Sequence, residues 1–459
     1  MALYEEELEI ITIGKLLKKN LDIPVYQRPY RWSVDSVNTL FDDIYDAFEN
    51  NKKEYRLGSV ILHKEEEKDK ENKHVYNIVD GQQRVTTLAI LLYVLDELKE
   101  DDYKQEEKIE VKYEILNKNY STLSSSAIFY NYNFLKNRVR ELNGEKKGYT
   151  EYLLENCTMV QVVTDNEQET FQFFDSQNTR GKELAPHDLL KAYHLREMSQ
   201  ENEKEKIEII SKWEALKEDS LKDLFKVYLY PLTRWYKGRD GLGYSSSKIK
   251  YFKGINKSDI FNFAIYHKAS NLFVEEFNRG DTNRLITSKK LNQFQLTQPL
   301  IGGKRFFHYV FHYYYLLEKI KEEITKIFLS DEEALPDKRS GDKYIKNLFL
   351  ATSLFFVDRF GIDSLDELAI KYLYIWAYSL RLVMQSVYNE TINKYAKGEH
   401  ERINKGINIF EEISEMESPE KIKLINLNEV TVEKIIDKHK KKYGKICENL
   451  SEWNGWGLK

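Results

Sequence analysis

Three short polar runs in this chain bring together residue types suited to phosphate chemistry. The first is Ile78-Val79-Asp80-Gly81-Gln82-Gln83-Arg84-Val85-Thr86-Thr87-Leu88. A β-branched stretch, Val75 to Val79, leads into it and an apolar stretch, Val85 to Leu98, leaves it. The pattern predicts a strand, a tight turn at Asp80-Gly81 and a helix. A helix start presents unpaired N–H groups and partial positive charge, which attract phosphate. Arg84 adds a fork of donors matched to phosphate oxygens, and Thr86 and Thr87 could reach a phosphate or a metal-bound water. The plainer alternative is a strand-to-helix turn whose polar residues only satisfy the backbone.

The second run, Ile23-Pro24-Val25-Tyr26-Gln27-Arg28-Pro29-Tyr30-Arg31-Trp32-Ser33, holds two arginines, three aromatics and two prolines. Pro24 and Pro29 stiffen it and exclude a helix. Ser33 is a suitable N-cap for a helix from Val34 to Asn50. The loop therefore carries Gln27, Arg28 and Arg31 to another helix start, unless its aromatics merely anchor a surface loop. The third run is Phe171 to Leu184, containing Asn178-Thr179-Arg180-Gly181, followed by Pro186-His187-Asp188-Leu189-Leu190-Lys191. It reads as a helix over Thr170 to Ser176, a turn at Asn178 to Gly181 and a helix over Leu189 to Glu197. Asn178 could read a base or ribose and Arg180 could bind phosphate; an ordinary helix–turn–helix corner would look the same.

Elements must hold these runs in place. Tyr55 to His63 and His74 to Val79 read as paired strands, with the charged Lys64 to Lys73 as an exposed hairpin loop. Helical spacing marks Phe41 to Phe48, Leu88 to Leu98, Ala127 to Leu142 and Tyr149 to Glu155, and Cys157 to Val163 returns as a strand. Ile10 to Asn20 reads as a strand or helix entry. After about Ser199 the pattern is helical: Lys204 to Leu216, Leu221 to Trp235, Lys257 to Asn278, Phe306 to Phe328, Tyr344 to Asp358, Ser364 to Tyr388, Glu401 to Glu415 and Val432 to Glu448. Gly238 to Gly254 is a polar Gly/Ser/Lys loop, and Trp453 to Trp456 a loose end.

The three runs, in their order and separation, resemble the N-terminal domain of the GmrSD-type restriction proteins, a ParB-like family of modification-dependent anti-phage systems. The resemblance rests on Ile23-Pro24…Gln27-Arg28…Trp32, on Val79 to Arg84 with Thr87-Leu88, and on Phe174…Asn178…Arg180-Gly181…Leu184…Asp188 to Lys191. Looser likeness continues through Trp235 to Gly238, Tyr251 to Gly254 and Phe294 to Phe307. It implies an α+β fold: a ParB/sulfiredoxin-like domain with a small mixed sheet over 1–198, a helical domain over 199–417 and a C-terminal helical extension over 418–459. It also implies a bound nucleoside triphosphate with Mg²⁺. Asp80, Gly81, Gln82, Gln83 and Arg84 would form the phosphate-binding and hydrolysis site, with Asp80 holding metal or water. Gln27, Arg28 and Arg31 would face it, Thr86 and Thr87 would support it, and Asn178 and Arg180 would close its third side.

The expected role is a nucleotide-hydrolysing subunit of an anti-phage restriction system acting on DNA, modified phage DNA included. Many relatives carry a His-based HNH centre. His400 and His439 stand alone here, so a nuclease-bearing partner is expected to cut. The rivals are a ParB-like nucleotide-gated module without turnover and a direct Mg²⁺-dependent nuclease. A homo-oligomer is compatible with the sequence.

Bulk properties narrow the field. Length allows two or three domains, and 70 basic residues nearly balance 75 acidic ones; a net charge of −5 excludes a uniformly basic nucleic-acid coat, so any DNA contact must be a local patch. Two cysteines, no signal-peptide pattern and no long apolar run point to a cytoplasmic protein that no membrane segment anchors. His308 and His312 stand at i, i+4 but lack an acidic or cysteine partner at a usual interval, which favours packing over zinc. His187 reads as part of a helix start, Gly241-Leu242-Gly243 lacks the third glycine of a dinucleotide fingerprint, and Lys438 to Lys445 reads as a solvated basic helix face.

Overall fold

The computed structural model describes residues 8–24, 27, 29–66, 74–98, 113–116, 122–165, 185–198, 201–256, 258–279, 291–329 and 331–456. Contacts divide the chain into two compact units, Met1–Leu184 and Ala185–Lys459. The architecture is α+β, with a small mixed sheet in the first unit and a helical second unit.

In the first unit the chain runs β1 (Leu8–Thr12), α1 (Ile13–Lys18), β2 (Leu21–Asp22), α2 (Val34–Glu49), β3 (Tyr55–Glu66), β4 (His74–Asp80), α3 (Gln82–Glu97), α4 (Thr122–Glu141), α5 (Lys146–Glu155) and β5 (Cys157–Thr164). The sheet order is β1-β5-β3-β4-β2. β5 runs antiparallel to β1 and parallel to β3; β4 runs antiparallel to β3 and parallel to β2. Alternation puts Val60, Leu62, Ile78 and Met159 into one core with Val37, Phe41 and Ile44 of α2, Leu135 and Val139 of α4, and Tyr149 and Leu153 of α5. α3 is buried almost all round, from Gln82 and Gln83 to Val94 and Leu95, which is why its sequence is apolar on every face. Ser33 caps α2 as expected, its Oγ accepting from the Ser36 N–H.

One expectation shifts here. β3 continues into the charged run: Lys64, Glu65 and Glu66 pair with Tyr76, Val75 and His74. Ladder bonds are made by the main chain, so a charged side chain that reaches water, as Glu65 does, does not stop the strand.

The second unit contains α6 (Pro186–Arg196), α7 (Glu203–Glu214), α8 (Glu218–Asp223), a π turn (Leu224–Leu229), α9 (Tyr230–Trp235), α10 (Asn262–Arg279), α11 (Lys304–Phe328), α12 (Ser340–Phe360), α13 (Glu367–Val383), α14 (Asn389–Ala396), α15 (Ile409–Glu415), α16 (Asp437–Lys442) and α17 (Gly444–Asn454). α12 and α13 are its buried centre; Tyr374 and Tyr378 stack at 4.2 Å. Two readings are corrected. The helix expected over Glu401 to Glu415 is confined to α15, because Asn404 and Gly406 take φ of 50° and 85°, outside the helical region. The stretch from Trp453 to Trp456 is packed, not loose: the Trp453 ring lies 5.8 Å from Phe328 and 5.4 Å from Tyr374, and Trp456 is buried. Among the described residues no helix is long and apolar enough to cross a membrane.

Candidate functional site

The strand-to-helix turn is built on two glycines. Gly81, the residue before α3, has φ +88°, and a Cβ there would stand 3.0 Å from the Ser59 carbonyl oxygen and 3.3 Å from Val60 Cα. Both the backbone angle and the close approach of β3 therefore require glycine. Gly58 does the same for Arg84. β3 bulges between Arg56 and Ser59, Gly58 takes φ +109°, and a Cβ there would lie 2.7 Å from Arg84 Nη1. The Arg84 guanidinium thus rests half-buried against the bulge, with one long hydrogen bond, 3.4 Å, to the Ser59 carbonyl. Burial lowers its pKa, and the charge of Asp80 opposes that shift.

No side chain caps the start of α3. Among the described residues, two buried oxygens on one face of its first turns, Gln82 Oε1 and Thr86 Oγ1, have no hydrogen-bond partner. Unsatisfied buried polar atoms are uncommon and ask for an explanation such as a bound ligand or water. Gln161 Oε1 is a third such atom; it sits on β5 in register with Val60, the residue that Gly81 approaches.

The proline loop folds onto this turn. Gln27 Nε2 donates to the Val79 carbonyl at 2.6 Å, closing the edge of β4 beyond the two-residue β2. Gln83 clamps the loop with both ends of its amide: Oε1 accepts from the Arg31 N–H at 2.8 Å and Nε2 donates to the Pro29 carbonyl at 3.1 Å. Thr87 gives its proton to the Gln83 carbonyl at 2.8 Å, so it accepts from the buried Tyr30 hydroxyl, also at 2.8 Å. Asn131 of α4 donates to Tyr30 OH (3.0 Å) and to the Trp32 carbonyl (2.8 Å), and Ser124 accepts from the Tyr30 N–H.

Of the site residues expected from sequence, Gln27, Arg31, Asp80, Gly81, Gln82, Gln83, Arg84, Thr86 and Thr87 are brought together. Gln83 and Thr87 are spent holding the loop, and Gln82 and Thr86 keep free acceptors. Arg28, Asn178 and Arg180 lie outside the described residues, as does the expected helix over Thr170 to Ser176. Asp188 stands in the first turn of α6, in the second unit. Tyr30, Ser124, Asn131 and Gly58 were not singled out as site residues; only Gly58, an isolated glycine inside a strand pattern, carries a local sequence signal of a bulge.

Among the described residues no three carboxylate, histidine or cysteine side chains gather to hold a metal. Asp80 is the carboxylate of this turn, so the residues fit a metal carried by phosphates better than one caged by protein. His312 is half-buried and desolvation pushes its pKa down to about 4, in keeping with packing.

The second-half motifs also converge. Buried His194 of α6 accepts from the Gly303 N–H on Nδ1 at 3.0 Å and donates from Nε2 to the Phe252 carbonyl at 2.9 Å, while its ring stacks on Phe306 at 3.8 Å. Trp235 Nε1 and the Gly241 N–H both donate to Asn393 Oδ1 at 2.9 Å.

With this geometry in view, residues 13–195 match the model of the GmrSD restriction endonuclease N-terminal domain, and residues 205–443, more than half of the chain, match a family of unknown function, DUF7834. The chain belongs to the DUF7834 family, and its first part is similar to the GmrSD restriction endonuclease N-terminal domain. None of the curated proteins compared with it matches. The GmrSD match takes in every residue of the turn and its loop, and it runs past the division between units to include α6.

Proposed function

We propose that the first unit is a ParB/sulfiredoxin-like nucleotide-binding domain, and that the chain is a component of a DNA restriction system in which nucleotide hydrolysis controls cutting by a partner. One observation carries this reading. Gln83 locks the Pro29–Arg31 loop onto an uncapped helix start that bears two unsatisfied buried oxygens, among the described residues, and a half-buried arginine. That combination suits a polyphosphate: the helix start and Arg84 balance its charge, the Thr86 hydroxyl can donate to a phosphate oxygen, and Gln82 Oε1, which only accepts, takes a proton of a water bound beside the phosphates. A triphosphate's Mg²⁺ would neutralise phosphate charge, with Asp80 as the nearby protein carboxylate. Gln82 is the residue free to orient a water.

The test is Arg84→Ala. Calorimetric titration with each of the four nucleoside triphosphates plus Mg²⁺ is expected to lose binding while circular dichroism and Tm show the fold intact. Unchanged affinity would remove the reading. One observation favours a second reading, nucleotide-gated binding without turnover: Gln83 has no free amide atom for an attacking water. Phosphate release measured with and without DNA separates the two.

A further inference from the structure

Twenty residues of the second unit, Arg234 to Lys253, carry six basic side chains and a single acidic one, Asp240, in a chain whose net charge is −5. We propose that this strip binds the phosphodiester backbone of double-stranded DNA. It is contiguous. The Arg239 N–H donates to the Arg234 carbonyl at 3.0 Å, Arg234 Nε donates to the Asp240 carbonyl at 3.1 Å, and its guanidinium lies 5.0 Å over the Tyr251 ring. Lys250 approaches the same ring. Tyr251 meets Tyr230 at 5.5 Å, and Lys248 Nζ lies 5.2 Å from the Tyr230 ring. Lys253 continues the strip, 4.7 Å over Tyr193.

In the second unit several lysines outside the strip pair with carboxylates, as in Lys304–Glu205, Lys212–Glu208 and Lys346–Asp337. Here, among the described residues, the cations meet aromatic rings and carbonyl oxygens: Lys248 donates to the Leu242 carbonyl, and the Asp240 carboxylate is turned to the Leu242 N–H. Lys237, Arg239 and Lys250 stand exposed. Positive charge held without internal counter-ions is the footprint of an anionic partner. Arg234 and Lys250 both stand over Tyr251, the strip's exposed ring, and compete with any base for its face, which favours backbone contact with a duplex over capture of single strands. The choice of DNA among polyanions rests on the restriction reading above; the surface itself does not depend on the nucleotide site.

The test uses the full chain without nucleotide and fluorescence anisotropy with two unrelated DNA duplexes over a salt series. Lys237→Ala, Arg239→Ala and Lys250→Ala, all exposed, are expected to weaken both duplexes alike. Each should reduce the slope of log K against log salt by about 0.9. Lys438→Ala and Lys441→Ala, on the other basic stretch, should change neither. Strip variants that bind as the parent does would overturn the proposal. Tighter binding of the parent to duplex RNA or single strands would overturn the duplex-DNA assignment. Either failure leaves the nucleotide reading intact, since that is judged by titration of Arg84→Ala.

Discussion

At the scale of single residues, Gln82 and Gln83 are neighbours with opposite duties. Gln83 satisfies its own amide and two backbone groups of the proline loop. Gln83→Ala leaves the Arg31 N–H and Pro29 carbonyl without partners and should cost roughly 1–3 kcal/mol in denaturant unfolding. Gln82 buries a carbonyl oxygen that, among the described residues, has nothing to accept from. Gln82→Met, close in size, should leave stability unchanged or raise it by up to about 1 kcal/mol, and should weaken triphosphate binding at least tenfold. Equal effects of the two substitutions on stability and on binding would refute the division of labour. Nothing in the consecutive glutamines of the sequence tells them apart; the distinction arises because Gln83 meets a loop more than fifty residues upstream.

At the scale of elements, the bulge of β3 and the start of α3 act as one unit. Gly58→Ala would put a methyl group 2.7 Å from Arg84 Nη1 at a φ of +109°. The strain should cost about 1–2 kcal/mol, and the displaced guanidinium should lose nucleotide affinity although residue 58 is not expected to touch the ligand. Retained affinity in titration would show that Arg84 needs no such seat. Much of this level was legible beforehand. Tyr55 to His63 and His74 to Val79 were legible as paired strands around a charged hairpin, Ser33 as the start of α2, and Asp80-Gly81 as the turn. The bulge had only the lone Gly58 as a signal, because a strand's register depends on its partners. The false helix over Glu401 to Glu415 had apolar residues at helical spacing, and left-handed Asn404 and Gly406 overrode them. β1 and α1 had only been read as one ambiguous stretch, since five-residue strands and six-residue helices carry little periodicity.

At the scale of the whole second unit, two buried ionisable groups oppose each other in pH. Desolvation pulls His194 down to about 3, from 6.5 when unfolded. The stability it contributes is full above pH 6.5 and is lost as pH falls toward 3. Burial pushes Asp358 up to about 7, from 3.8, despite hydrogen bonds from the Tyr313 hydroxyl and the Leu296 N–H. Its contribution is full below pH 3.8 and is lost as pH rises toward 7. Each amounts to something on the order of 4 kcal/mol, with opposite slopes between pH 4 and 6.5. The parent's Tm should therefore respond weakly to these two groups in that window. Asp358→Asn should unmask His194, so that Tm climbs with pH from 4.5 to 6.5. A variant whose Tm profile stays parallel to the parent's would reject the compensation.

The two rings of interactions around His194 also bear on where this protein can be cut or shuffled. Its imidazole is claimed by Phe252 and Gly303, yet it travels in sequence with the segment that matches the GmrSD N-terminal domain. A gene fusion joined after residue 195 would carry the histidine off with the wrong half and leave two buried main-chain groups orphaned in the other. Recombination that respects the packing has to break the chain before Ala185, upstream of the end of its own family signature.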